Sequence, residues 1–169
     1  MDSIEFYKEF YFKEIDRKHE LNNAINLPIL ILTTIVSLNF YILNLYPNFS
    51  EMGCVKILVI IIILMSISYS VYFLLKSFSN FIKSHTYKEL ANIDEILKYE
   101  QALENEQKKK KDAKFLFEEY LKKELAVCTT YNFLINKMRT EDIAKSKKGI
   151  FVATICTFVL SINYIVSLL

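Results

Sequence analysis

The chain has 169 residues, of which 53% are hydrophobic and 24% charged, with a formal net charge of +2. That length predicts one compact unit rather than several domains. With two glycines and two prolines there is too little material for a phosphate-binding loop, a dinucleotide fingerprint or many short-strand turns, so an all-α fold is expected.

The N-terminal segment, residues 1–26, mixes acidic and basic side chains and lacks the apolar core and small-residue cleavage site of a signal peptide. Ile4, Tyr7, Phe10, Tyr11, Ile15 and Leu21 recur at helical spacing, which predicts an amphipathic helix over residues 3–25. Two fates fit its aromatic face: lying in a membrane interface, or packing on another part of the protein. Pro28 predicts a break near Asn26–Pro28, because proline suits a helix's first turn.

Three apolar segments follow, Leu27–Tyr46, Cys54–Leu75 and Ile150–Leu169. Each is about 20 residues long, enough for an α-helix to cross a bilayer core. Tyr41, Tyr46, Tyr69 and Tyr72 lie near segment ends, where tyrosine rings sit at headgroup level. The first two segments, residues 27–75, are expected to form a membrane hairpin through the link Pro47–Gly53. Residues 149–169 supply a third membrane helix.

Between them, residues 76–148 hold sixteen Lys or Arg and twelve Asp or Glu. The positive-inside rule places this stretch and the N-terminus in the cytoplasm of a multi-pass protein of the inner membrane, with the C-terminus outside. Phe78, Phe81, Ile82, Leu90, Ile93, Leu97 and Leu103 mark one apolar stripe; Phe115, Leu116, Leu121, Leu125, Cys128, Leu134, Ile135 and Met138 mark another. They predict a cytoplasmic hairpin of two helices of about 30 residues, roughly 45 Å each. The turn falls near Gln107–Asp112. Without Gly or Pro in residues 54–106, the second membrane helix is expected to run straight into the first cytoplasmic one.

Catalytic chemistry is sparse. Cys54, Cys128 and Cys156 have no CxxC spacing, and His19 and His85 stand far apart. No HExxH, GxSxG or Cys–His arrangement occurs, so neither catalysis, a metal nor a cofactor is expected. The polar patterns point to binding or conduction instead. Thr154, Thr157 and Ser161 share a helix face with Tyr164, which suits a hydroxyl-lined pore in an oligomer or close helix packing. Thr33, Ser37, Asn39 and Asn44 in the first segment and Ser66 and Ser70 in the second raise the same pair of readings. Asn132, Asn136 and Arg139 lie at i, i+4 and i+7. Their carboxamides and guanidinium suit a nucleotide base and phosphate, or internal carboxylates. The run Lys108, Lys109, Lys110 and Lys111 reads as a solvated turn or as a phosphate patch. Lys145, Lys147 and Lys148, before the third membrane segment, read as topology determinants that contact anionic lipid.

The layout of a charged N-terminal helix, a two-helix membrane hairpin and a long cytoplasmic helical region resembles the SLATT family of small membrane effectors from nucleotide-signalled anti-phage systems. Tyr131, Asn136 and Arg139 look like the polar helix that follows the hairpin in such effectors. The third membrane helix departs from that pattern and is closer to HalB-type channels of the Hailong system. The resemblance implies a homo-oligomeric pore, here taken as a tetramer. It would depolarise the cell under control of a nucleotide or oligonucleotide signal, with a nucleotidyltransferase encoded nearby as operon partner. The alternative is a membrane scaffold that recruits a soluble partner through the cytoplasmic hairpin.

Overall fold

The computed structural model describes residues 3–45, 53–78, 86–106 and 110–168. Most of the expected link (residues 47–52), the centre of the expected turn with Lys108 and Lys109, and Tyr46, Phe81, Ile82, His85 and Leu169 lie outside the described residues. The described chain is all-helical: α1 (Ser3–Ala24), α2 (Asn26–Asn44), α3 (Cys54–Ser77), α4 (Ile93–Glu106) and α5 (Lys110–Leu168). Three helical stretches, within Ser3–Asn44, Cys54–Ser77 and Lys111–Val166, are long and apolar enough to cross a membrane.

Instead of one compact unit there are two. Met1–Glu20 and His85–Lys137 form a charged unit; Leu21–Ser84 and Met138–Leu169 form an apolar unit.

In the apolar unit, Leu21, Ile25, Leu32 and Ile35 pack with Leu74 of α3 and with Ile143, Ile150 and Ala153 of α5. A second cluster joins one residue from each apolar helix: Ile42, Ile63 and Leu160. α3 and α5 cross closely. A Cβ on Gly149 would lie 2.9 Å from the Ser66 carbonyl oxygen and nearer still to Ser70 Oγ. Glycine therefore stands inside a helix because a backbone approaches it, not because the helix ends there.

The break expected near Asn26–Pro28 falls at Ile25, which keeps helical angles of φ −76° and ψ −26°. Pro28 has no N–H to offer the Ala24 carbonyl, so one rung of the ladder is missing. Ile29 resumes it by donating to Ile25 O at 3.2 Å.

The charged unit has a smaller core. Tyr11, Leu125 and Cys128 are buried together, with Tyr7, Ile15 and Leu90 packed against them. Thus Tyr7, Tyr11 and Ile15 of α1 face protein. Phe6, Phe10 and Phe12 remain exposed.

Two expectations about helix length are corrected. α3 does not run on: Phe78 is extended at ψ 126°, and residues 86–92 carry no helix. α4 has 14 residues rather than about 30, whereas α5 has 59 and carries the third apolar segment as its continuation. No glycine or proline ends α3. Its last carbonyl, that of Ser77, is instead bonded by Arg139.

Candidate functional site

Asn132, Asn136 and Arg139 on α5 are fully buried, and each is engaged within its own unit. In the charged unit, Asn132 Oδ1 accepts the Lys88 N–H at 2.9 Å, and Asn132 Nδ2 donates to Lys88 O at 3.0 Å. One carboxamide thereby satisfies both backbone groups of a residue, as a neighbouring strand would. One turn on, Asn136 Oδ1 accepts the Tyr87 hydroxyl at 2.5 Å. Asn136 Nδ2 donates to both Glu14 O and Glu14 Oε2 at 2.8 Å. Cys128 donates to Glu89 O at 3.7 Å. Residues 87–89 are thus tied to α5 side chains, and two cations sit over rings beside them: Lys88 over Tyr131 at 5.1 Å and Lys18 over Tyr87 at 4.8 Å.

Burial, with Glu124 adding to it and Lys88 opposing it, pushes the Cys128 thiol above its ordinary pKa. A buried thiol held protonated is a poor nucleophile. Burial likewise raises the Tyr11 hydroxyl, against a hydrogen bond to the Leu90 backbone.

In the apolar unit, Arg139 Nε donates to Ser77 O at 2.7 Å and Nη2 to Asn22 Oδ1 at 2.7 Å. The carboxylate of Asp142, one turn along, is 3.2 Å from Lys76 Nζ and 4.0 Å from Lys145 Nζ. Ser70 Oγ donates to Ser146 O at 3.1 Å and to Ser66 O at 2.8 Å. A polar seam therefore runs along α5 through Arg139, Asp142 and Ser146 to Gly149, all against the C-terminal half of α3. Midway along α2, Asn39 Nδ2 donates to Thr157 Oγ1 at 2.8 Å, a buried bond between apolar helices.

Of the three hydroxyls expected to line a pore, Thr157 is buried against Asn39, Ser161 is half-buried and Thr154 is exposed. The structure gathers all three, with Thr34 of α2, along one groove of about 340 Å³ otherwise walled by Leu30, Ile31, Ile35, Leu38 and Phe158. Three of these hydroxyls turn their protons to the carbonyl one turn back: Thr34 to Leu30, Thr154 to Ile150 and Ser161 to Thr157. Of the lysine run, Lys110 opens α5 and Lys111 is exposed; Lys108 and Lys109 lie outside the described residues.

The face bearing Asn132, Asn136 and Arg139 was legible from spacing; its partners were not. Lys88 supplies both its backbone groups and Ser77 a carbonyl, and no side-chain pattern marks those. Asp142 had a signal, since it lies three residues from Arg139 on the same face. Among the described residues no group of His, Cys, Asp and Glu could hold a metal. The chain matches no family model, no curated protein and no solved structure.

Proposed function

We propose that the chain is a multi-pass inner-membrane protein whose copies assemble into an ion-conducting pore, with the charged unit as its cytoplasmic regulatory part. The observation that carries this reading is the α2–α5 groove, where Thr34, Thr154, Thr157 and Ser161 interrupt an otherwise apolar wall. A hydroxyl whose proton is bonded to its own helix still offers lone pairs to water or a cation. Three helices are too few to enclose a conduit alone. Only 28%, 17% and 28% of the three apolar windows are buried within the chain, which leaves lateral surface for further copies. A tetramer is the working assembly, and its opening would depolarise the cell as an anti-phage effector. We place contact with a nucleotide or oligonucleotide signal, made by an operon-encoded nucleotidyltransferase, on the lysine run 108–111. Asn132, Asn136 and Arg139 are already bonded internally.

Single-channel recording on Ser161→Leu tests the pore. The reading expects lower conductance from an oligomer of normal size. Lost assembly would assign the hydroxyls to packing, and normal conductance would move the conduit elsewhere. The scaffold reading draws support from exposed Phe6 and Phe10, stacked on one face of α1 that suits a soluble partner. A monomer or dimer in native-size measurements would favour it.

A further inference from the structure

We propose that Lys76 and Lys145, gathered around Asp142 and Phe73, form a headgroup site for an anionic phospholipid. The inference rests on reading α3 and the C-terminal part of α5 as membrane helices. Asp142 is 2% exposed and lies 3.2 Å from Lys76 Nζ, whose side chain is 34% exposed. Lys145 Nζ is 4.0 Å from the same oxygen and its side chain is 45% exposed. Both ammonium groups also sit over one ring, that of Phe73, at 5.8 Å and 5.2 Å. The buried carboxylate and the ring thus hold two cations on one patch.

An ammonium has three donors. Lys76 gives one to Asp142 at 3.2 Å. Lys145, at 4.0 Å, is beyond hydrogen-bond range of that oxygen. Both half-exposed side chains can therefore direct donors outward to a phosphate.

The surface on the same face of α3 favours a lipid over a free anion. Tyr72 and Tyr69 lie four and seven residues before Lys76, about 6 and 10 Å along the axis. Their rings pack on Phe73 at centroid distances of 5.1 Å and 4.7 Å, and both are exposed. That sets both rings below a headgroup phosphate, on the apolar side of the interface where tyrosines gather. Tyrosine offers a lipid there an apolar ring with a polar tip. Soluble phosphate would gain nothing from either tyrosine. Lys147 and Lys148 are exposed on α5 and add attraction without a shared carboxylate anchor.

The test uses the full chain in neutral detergent, titrated with phosphatidylglycerol or phosphatidylcholine, with retained lipid counted by native mass spectrometry. Phosphatidylglycerol should be retained preferentially, and Lys145→Gln should weaken it about fivefold, the worth of one lysine near an anionic surface. Lys145→Gln leaves the Lys76–Asp142 pair in place, so folding should survive, and Lys145→Arg should restore retention. The double variant Lys147→Gln, Lys148→Gln should change retention less than Lys145→Gln. Equal retention by Lys145→Gln and the unsubstituted chain would overturn the site. So would an effect of the double variant as large as that of Lys145→Gln, which would mean diffuse surface charge. Displacement of the lipid by inorganic phosphate would reassign the cluster to free anions. Extraction of the unsubstituted chain from membranes by alkaline carbonate would instead sink the membrane reading, independently of the lipid counts.

Discussion

In the apolar unit, buried polar groups run along a contact between two helices: Ser77, Lys76 and Ser70 of α3 meet Arg139, Asp142 and Ser146 of α5. In the charged unit they do something else. Asn132 and Asn136 hold down Tyr87 and Lys88, a stretch with no helix of its own, beside a small core of Tyr11, Leu125 and Cys128. The contrast shows two uses for the same side-chain chemistry. Along α3 and α5 the polar groups sit where apolar packing already fixes the geometry. In residues 87–89 they substitute for secondary structure, so order there depends on a few hydrogen bonds worth about 1 kcal/mol each. Segments held that way open first. Local opening is therefore expected first in residues 87–89 rather than along the contact of α3 with α5.

The sharpest way to break this comparison is Arg139→Ala. The guanidinium has no exposure, and its loss would strand the buried Ser77 O, break the bond to Asn22 Oδ1 and leave a cavity. Stranded partners of a charged group and the void together should cost about 3 kcal/mol or more. Thermal melting in detergent should show a large drop. A change within error would mean that the α3–α5 seam adds little. If Arg139 took part in signal recognition, oligonucleotide binding would be lost at unchanged melting temperature, the reverse of what its burial predicts.

Asn132→Ala should do less, about 1–2 kcal/mol, because Lys88 is exposed and water can replace part of what is lost. The informative readout is hydrogen exchange. Amides of residues 87–89 should exchange faster, while those of α3 keep their protection. Equal acceleration in both would refute the idea that order in the segment is a local matter.

Much of this architecture was legible from composition. Runs of about 20 apolar residues announce membrane-length helices whatever they pack against. What escaped was where helices stop. α3 ends at Ser77 without glycine or proline, its last carbonyl bonded by Arg139 from 62 residues away in sequence. α5 passes through Gly149 without stopping, because that glycine answers the nearness of Ser66. Neither cause is local, so no periodicity could carry it. The polar face of α5 was readable for the opposite reason, since i, i+4, i+7 spacing is local. Whether that face met a ligand or the protein's own backbone depended on residues 44 or more positions away.

The smallest expected effect is one of pH, and it sharpens the comparison because the perturbed groups sit in the small core of the charged unit. Tyr11 and Cys128 are both raised by burial, which disfavours the charged phenolate and thiolate. For an acid raised in the folded state, the unfolded chain gives up its proton first as pH increases. The stabilisation held at neutral pH is therefore lost as pH climbs past about 9, where an ordinary thiol ionises, towards the raised values. Melting of the charged unit should move down over that window and stay flat between pH 6 and pH 8, where neither group titrates. Hydrogen exchange at Leu90, which packs on Tyr11 and Cys128, gives a local readout once intrinsic base catalysis is subtracted. Cys128→Ala should flatten part of the alkaline fall, since it removes a titrating group while keeping a small apolar side chain. An alkaline fall of unchanged size in Cys128→Ala would assign the loss to Tyr11 alone, and no fall in the parent chain would mean that burial of this core leaves both groups near their ordinary values.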